Sequence, residues 1–331
     1  RASGCGGQDW LSGVVTRSVS PRRSCSVAWR TAWTWRLRNQ PWAIGKLTST
    51  LRASSSTAAS SATGCTTPAI APPKGMVISK TPLIGKFVWR DLHTDDPAAV
   101  KSFYAELFGW EFVQGTAMGR PYAIVTSGGQ PIAGIVKAER KLPQQPNSQW
   151  LSYLSVPDVD RAAERTRTAG GSVLLAPFDL PKIGRGAIVI DPQGAPLGLL
   201  RASFGDPADT PEPVVNHFLW TEELARDPVA AAKFYADLVG FEVLNQDQGG
   251  KTFRVLKLGR ERAGIMRMPF AAMEPTWLVS VRVADPSASA LRAQRLGGRV
   301  LLAPRADVRN GSVALIADPT GAVLALQRWP S

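Results

Sequence analysis

The stretch from Gly85 to Phe112, GKFVWRDLHTDDPAAVKSFYAELFGWEF, decides the fold. Phe87 to Thr94 interleaves apolar and polar residues of high β preference, which predicts a strand. Asp96 followed by Pro97 predicts a helix start. The carboxylate can accept from the first free backbone N–H groups, and proline's fixed φ suits the first helical position. Ala98, Val100, Phe103, Tyr104 and Leu107 then recur at helical spacing. Gly109 closes the helix, because glycine takes the left-handed conformation that a C-terminus favours. Trp110, Glu111 and Phe112 start a second strand. Such a unit cannot bury its apolar face alone.

The chain repeats it. Asn216 to Val243 reads NHFLWTEELARDPVAAAKFYADLVGFEV, and Trp89, Asp96 and Phe103-Tyr104 map to Trp220, Asp227 and Phe234-Tyr235 at a constant offset of 131. A second kind of unit also occurs twice. GGSVLLAP at 170–177 returns as GGRVLLAP at 297–304, an offset of 127 that is shared by Trp150 and Trp277 and by Asp191-Pro192 and Asp318-Pro319. A long period matched at many positions signals duplication. Both kinds of unit offer a strand, an Asp-started helix, a glycine and three more strands. Four βαβββ modules, near 84–140, 147–203, 214–269 and 275–329, predict an α+β fold.

The runs DPAAVKSFYAELFG (96–109) and DPVAAAKFYADLVG (227–240), with the strand starts DPQGA (191–195) and DPTGA (318–322), resemble the vicinal oxygen chelate superfamily of glyoxalase, bleomycin-resistance and extradiol-dioxygenase proteins. The resemblance covers about residues 84 to 329. It implies that modules pair into half-open barrels around a pocket, so that four modules make two glyoxalase-like domains, at 76–206 and 214–331. In metal-dependent members of that family, ligands come from the first strand of a module, seven residues before the helix-opening Asp, and from the last strand, seven after the Asp of D-P-x-G. Those places hold Trp89, Leu151, Trp220 and Leu278, and Gly198 and Ala325. None offers the carboxylate, imidazole or thiolate that a cation takes. The resemblance therefore implies a member without a metal site, and no other cofactor is expected. The two histidines, His93 and His217, occupy different places in their repeats, which argues against a paired role.

Strand alternation puts Phe87, Trp89, Asp91 and His93 on one face of the first module's leading strand, and Phe218, Trp220, Glu222 and Leu224 on that of the third. Modules two and four present Leu151, Tyr153 and Ser155, and Leu278, Ser280 and Arg282. An apolar cup with a few polar groups is the usual make-up of a small-molecule site. The candidate ligand-binding residues are Phe87, Trp89, Asp91, His93, Tyr153, Trp220, Glu222 and Arg282. Trp89 and Asp91 would serve as wall and polar anchor in the first domain. The alternative is that Trp89 and Trp220 plug the barrels. A carboxylate facing a filled barrel then needs a partner, and Arg282 could supply one to Glu222.

Composition narrows the classes. Of 39 Lys and Arg against 26 Asp and Glu, residues 1–75 carry ten basic residues and one acidic, so the repeats hold 29 against 25 and show no nucleic-acid footprint. Cys5, Cys25 and Cys65 all precede residue 76, so neither a disulfide nor a Cys-His pair is expected in the repeats. Residues 1–75 read as a disordered or spurious leader, as a transit segment, or as a lipoprotein signal around Cys65. No run of 18 apolar residues predicts a spanning helix. A cytoplasmic monomer or weak dimer is expected, with a Cys65-anchored lipoprotein as the alternative. The glycines from Ile183 to Ala187, and the pairs at 128–129, 170–171, 249–250 and 297–298, read as turns. The leading expectation is metal-independent binding of a small, partly aromatic or apolar molecule, as in the drug-sequestering branch of the resembling family. Two alternatives stay open: a metal-independent lyase, isomerase or hydrolase with Asp91 or Glu222 as general base, and a structural or partner-binding module. No catalytic residue is assigned.

Overall fold

The structure, a computed structural model, describes residues 76–79, 81–138, 148–210, 212–247, 252–269 and 273–329. Residues 1–75, with Cys65, and the glycine pair at 249–250 lie outside the described residues.

In chain order the elements are β1 (Ile78–Ser79), β2 (Phe87–Thr94), α1 (Pro97–Phe108), β3 (Glu111–Ala117), β4 (Arg120–Ser127), β5 (Gln130–Lys137), β6 (Ser148–Ser155), α2 (Val159–Thr168), β7 (Ser172–Leu180), β8 (Gly184–Ile190), β9 (Pro196–Ala202) and β10 (Asp206–Pro207). The second half follows with β11 (Phe218–Ala225), α3 (Pro228–Val239), β12 (Glu242–Asp247), β13 (Thr252–Leu258), β14 (Arg260–Arg267), β15 (Thr276–Arg282), α4 (Pro286–Arg295), β16 (Arg299–Leu302), β17 (Val313–Ala317) and β18 (Val323–Gln327). The four βαβββ modules are all present. Each helix opens on its aspartate: Asp96, Asp158, Asp227 and Asp285 accept from backbone N–H groups of the first turn. Gly109 and Gly240 close α1 and α3 at φ of 73° and 91°. The reading of Ile183–Ala187 as a turn needs correction. The bend ends at Ile183, and Gly184 to Ile190 is strand β8, whose carbonyl-to-amide ladder with β9 leaves no room for side chains at Gly184.

The modules assemble into two open eight-stranded mixed sheets, β3-β4-β5-β2-β6-β9-β8-β7 and β12-β13-β14-β11-β15-β18-β17-β16. Modules one and two meet at the antiparallel β2–β6 seam, with Trp89 opposite Tyr153 and Asp91 opposite Leu151. Modules three and four meet at β11–β15, with Trp220 opposite Ser280 and Glu222 opposite Leu278.

The helices lie on the sheet faces that the two halves turn toward each other. On α1 the buried residues are Val100, Phe103, Tyr104, Leu107 and Phe108, while Ala98 of the helical pattern is exposed. Helix α1 packs against α4, and the core of Leu92, Phe103, Tyr104 and Trp150 continues into Val279, Val281, Ala293 and Ile316. Helix α2 packs against α3, and Leu154, Ala162, Ala163 and Leu197 continue into Ala231, Phe234, Tyr235 and Ile265. Each module thus finishes its apolar face on a module of the other half.

Two related polar chains thread these cores. Trp150 Nε1 donates to Tyr104 Oη at 3.3 Å, and Tyr104 donates to Asp318 at 3.0 Å. Trp277 Nε1 donates to Tyr235 Oη at 2.9 Å, and Tyr235 donates to Asp191 at 3.0 Å. Asp191 also accepts the N–H groups of Gln193, Gly194 and Ala195. The aspartate of each D-P-x-G run therefore ties its own turn to a helix of the opposite half, with charge-assisted bonds that are stronger than neutral ones.

Candidate functional site

In the first half, the face of β2 away from the helices carries Trp89, Asp91 and His93. Tyr122 Oη donates to Asp91 Oδ1 at 2.7 Å, and the Trp89 indole N–H lies 2.9 Å from both oxygens. The Tyr153 phenol faces the same carboxylate, and burial together with the Asp91 charge holds both phenols well above the ordinary tyrosine range. Glycines make this packing possible. A Cβ at Gly134 would sit 1.8 Å from Tyr122 Oη, and one at Gly198 would sit 2.3 Å from the Tyr153 ring. Gly198 is the place where the resemblance would put a metal-binding glutamate, and the Tyr153 ring lies over it. His93 Nε2 is buried with no partner among the described residues, and burial pushes the imidazole toward its neutral form, against the pull of Asp91.

The second half differs at two of these places. Phe253 stands where the offset of 131 places Tyr122, and Ser280 faces Trp220 where Tyr153 faces Trp89. A phenol and a large ring are replaced by a plain ring and a hydroxymethyl group. A cavity of about 1070 Å³ opens beside Trp220 and Phe253, walled also by Val255, Arg309, Gln327 and Trp329, while Ser280 is fully buried and does not line it. Phe253 lies over Gly264, where a Cβ would come 2.3 Å from its ring and 3.0 Å from Trp220 Nε1. Glu222 is buried and ion-paired with Arg309, whose guanidinium also sits over the Phe253 ring at 5.3 Å. Arg309 reaches in from a bend in which it and Asn310 adopt left-handed φ of 46° and 52°.

Two readings from strand parity are corrected. Register shifts between Phe87 and Trp89, and between Phe218 and Trp220, break the alternation. Phe87 turns to the shared core and packs on Trp277, with ring centroids 4.7 Å apart, while still edging the cavity. Phe218 packs on Trp110 and Trp150 at 5.5 Å each. Arg282 lies beyond the second shift, backbone-paired with His217, so it bonds Glu212 at 3.0 Å and the Pro213 carbonyl rather than Glu222. Trp89, Asp91 and Tyr153 thus come together in one half and Trp220 and Glu222 in the other. His217, half-buried and bonded to the Ser127 backbone, belongs to neither group.

Sequence reasoning missed Phe253, Arg309 and Trp329, and also Lys86, Arg90 and Arg262, which line the cavity where the halves meet. The offset of 131 could have nominated Phe253 through Tyr122. Arg309 comes from a bend with no strand pattern, and the Lys86, Arg90 and Arg262 cluster draws on both halves.

The places where the fold would supply metal ligands do not fit a cation. Trp89, Leu151, Trp220, Leu278, Gly198 and Ala325 hold no donor side chain of the needed kind, and no three His, Cys, Asp or Glu side chains converge among the described residues. No described helix is long and apolar enough to cross a membrane.

Paired βαβββ modules around an aromatic-walled cavity define a glyoxalase-like protein. The chain belongs to the glyoxalase/bleomycin resistance protein/dioxygenase superfamily: that family's model matches residues 86–199, and the model of a glyoxalase-like domain matches 221–326. It is 33% identical over 246 residues to CFP32 of Mycobacterium tuberculosis, described as a candidate glyoxylase, a match that covers 72% of this chain and 92% of that one. It is 32% identical over 256 residues to the anthracycline biosynthesis protein DnrV of Streptomyces peucetius, covering 72% and 91%. In fold it is similar to the Mn(II)-bound glyoxalase of Novosphingobium aromaticivorans, at 18% identity and a TM-score of 0.51 over 74% of this chain and 82% of that one.

Proposed function

We propose that the protein binds a flat, largely apolar small molecule in the cavity of the second half, without a metal. The observation that carries this reading is the cavity of about 1070 Å³ with Trp220 and Phe253 as walls and Arg309 fixed in its lining by Glu222. Rigid aromatic walls favour a planar ligand by stacking and apolar burial. Fixed polar groups orient it. That two relatives bear anthracycline biosynthesis in their names fits a ligand with a fused-ring body. Binding is preferred to catalysis by a carboxylate because both candidate bases are engaged, Asp91 by Trp89 and Tyr122 and Glu222 by Arg309. The first half, in this reading, is the structural partner of the second. A thermal-shift screen of planar aromatic compounds tests the proposal, since a ligand that binds the folded state raises the midpoint by mass action. Hits should lose their effect in Trp220→Ala and keep it in Trp89→Ala. Hits that depend on Trp89 alone would refute the placement.

A further inference from the structure

Four cations gather where the two halves meet along the cavity, around one carboxylate. Lys86 Nζ lies 3.0 Å from Asp209, Arg262 Nη1 lies 2.8 Å from the same oxygen, and Arg260 Nη1 lies 3.7 Å from the other. Arg90 is the fourth. Its Nη2 donates to Thr221 Oγ1 at 3.0 Å and its guanidinium sits over the Phe218 ring at 4.8 Å. Its Nε is buried with no partner, and no carboxylate pairs with it among the described residues. The other acids on the cavity wall are otherwise engaged, Glu261 with Gln246 and Asp307 with Arg305. With Glu261 counted, because its partner Gln246 is neutral, charge at this junction is four positive against two negative.

Arg90 is partly buried with its Nε out of reach of water, and holding such a guanidinium without an anion is costly to the folded state. The cost is visible in Arg90, whose pKa burial pushes down to about 10, so that it remains charged at neutral pH. The fold does not require it, because the offset of 131 places Thr221 at the same point of the second half. Lys86 and Arg90 come from the first half, Thr221 and Arg262 from the second, and Asp209 from the connection between them.

We infer that this junction is an oxyanion subsite, so that the ligand carries a carboxylate or similar acidic group on its flat body and is held by both halves at once. Arg90 is the principal contact, with Lys86 and Arg262 supplying the surrounding field. This inference rests on the cavity reading above and adds the chemical class of the ligand.

Isothermal titration with 2-naphthoate and its uncharged near-isostere 2-naphthamide tests it. Wild-type protein should bind the carboxylate at least ~10-fold more tightly than the amide, and raising the salt concentration should narrow the ratio. Arg90→Thr, which borrows the second half's residue, should lose roughly 10- to 100-fold in affinity for the carboxylate and leave the amide unchanged, as for charge-assisted hydrogen bonds. Arg90→Lys should retain part of the preference. Equal affinities in the wild type, or an unchanged ratio in Arg90→Thr, would overturn the subsite while leaving the cavity reading intact. Binding of neither probe at millimolar concentration would overturn the cavity reading and the subsite with it. If Arg90→Thr fails to fold, the wild-type ratio and its salt dependence decide the matter.

Discussion

Glu223→Leu is expected to stabilise the protein. Glu223 sits on β11 where the first half has Leu92, and both are fully buried in the cores between the halves. Neither Glu223 oxygen has a hydrogen-bond partner within normal geometry among the described residues, although the protonated carboxyl faces Asp191 closely enough for a loose hydrogen bond to raise its pKa further. The ionisable groups facing it are Asp191, already accepting three backbone N–H groups and the Tyr235 hydroxyl, and Tyr235 itself. Burial first, and then the Asp191 charge, hold the Glu223 carboxyl well above the ordinary range. Removing an unsatisfied buried acid should recover about 1–3 kcal/mol, and a leucine of similar volume should add apolar contact, less up to about 1.5 kcal/mol of imperfect fit. The net expectation is a gain of about 2 kcal/mol, measured by urea denaturation at pH 7. The pH dependence follows from the same group. The unfolded carboxyl ionises near the ordinary glutamate value of about 4.3, while the folded one keeps its proton to higher pH. Folding is therefore favoured below that ordinary value, and this contribution is lost as pH climbs through the window between the ordinary and the raised value. Glu223→Leu should remove that part of the slope. A variant that is destabilised, or that keeps the full wild-type pH slope, would refute the reasoning.

Asp91→Ala orphans the Tyr122 hydroxyl and the Trp89 indole N–H, so it should cost roughly 2–4 kcal/mol of stability, yet leave 2-naphthoate affinity unchanged; calorimetric melting and titration check both parts. Gly198→Glu restores the acidic residue of metal-dependent relatives in the resembling family, but its Cβ would meet the Tyr153 ring at 2.3 Å; it should cost about 1–3 kcal/mol by overpacking, with no gain in bound divalent metal by elemental analysis. Tyr235→Phe strips Asp191 and Trp277 of a shared partner and should lower the urea midpoint by the equivalent of about 1–3 kcal/mol, whereas unchanged stability would show that this cross-half chain is energetically idle.

Much of the fold was legible because its signals are local or periodic. The Asp96–Pro97 start, the Gly109 stop and the offsets of 131 and 127 belong to each module and survive without tertiary information. The site was legible only where strand alternation holds. It placed Trp89 with Asp91 and Trp220 with Glu222, and it failed at Phe87 and Arg282, because a register shift in each half's central seam breaks the alternation and leaves no mark in the residue pattern. It could not say which half is open. That depends on which side chains line the space beside Trp220, among them Phe253 in place of Tyr122 and Arg309 from a distant bend. The Arg90 cluster left no mark in the sequence pattern, since its members span Lys86 to Arg262 and converge only at the junction.

The most direct measurement is the position of a bound probe. In a crystal soaked with 6-bromo-2-naphthoate, the account predicts one anomalous bromine peak inside the second-half cavity, with the ring between Trp220 and Phe253 and the carboxylate toward Arg90. A peak on the first-half sheet beside Trp89 and Asp91, with the second-half cavity empty, would contradict it.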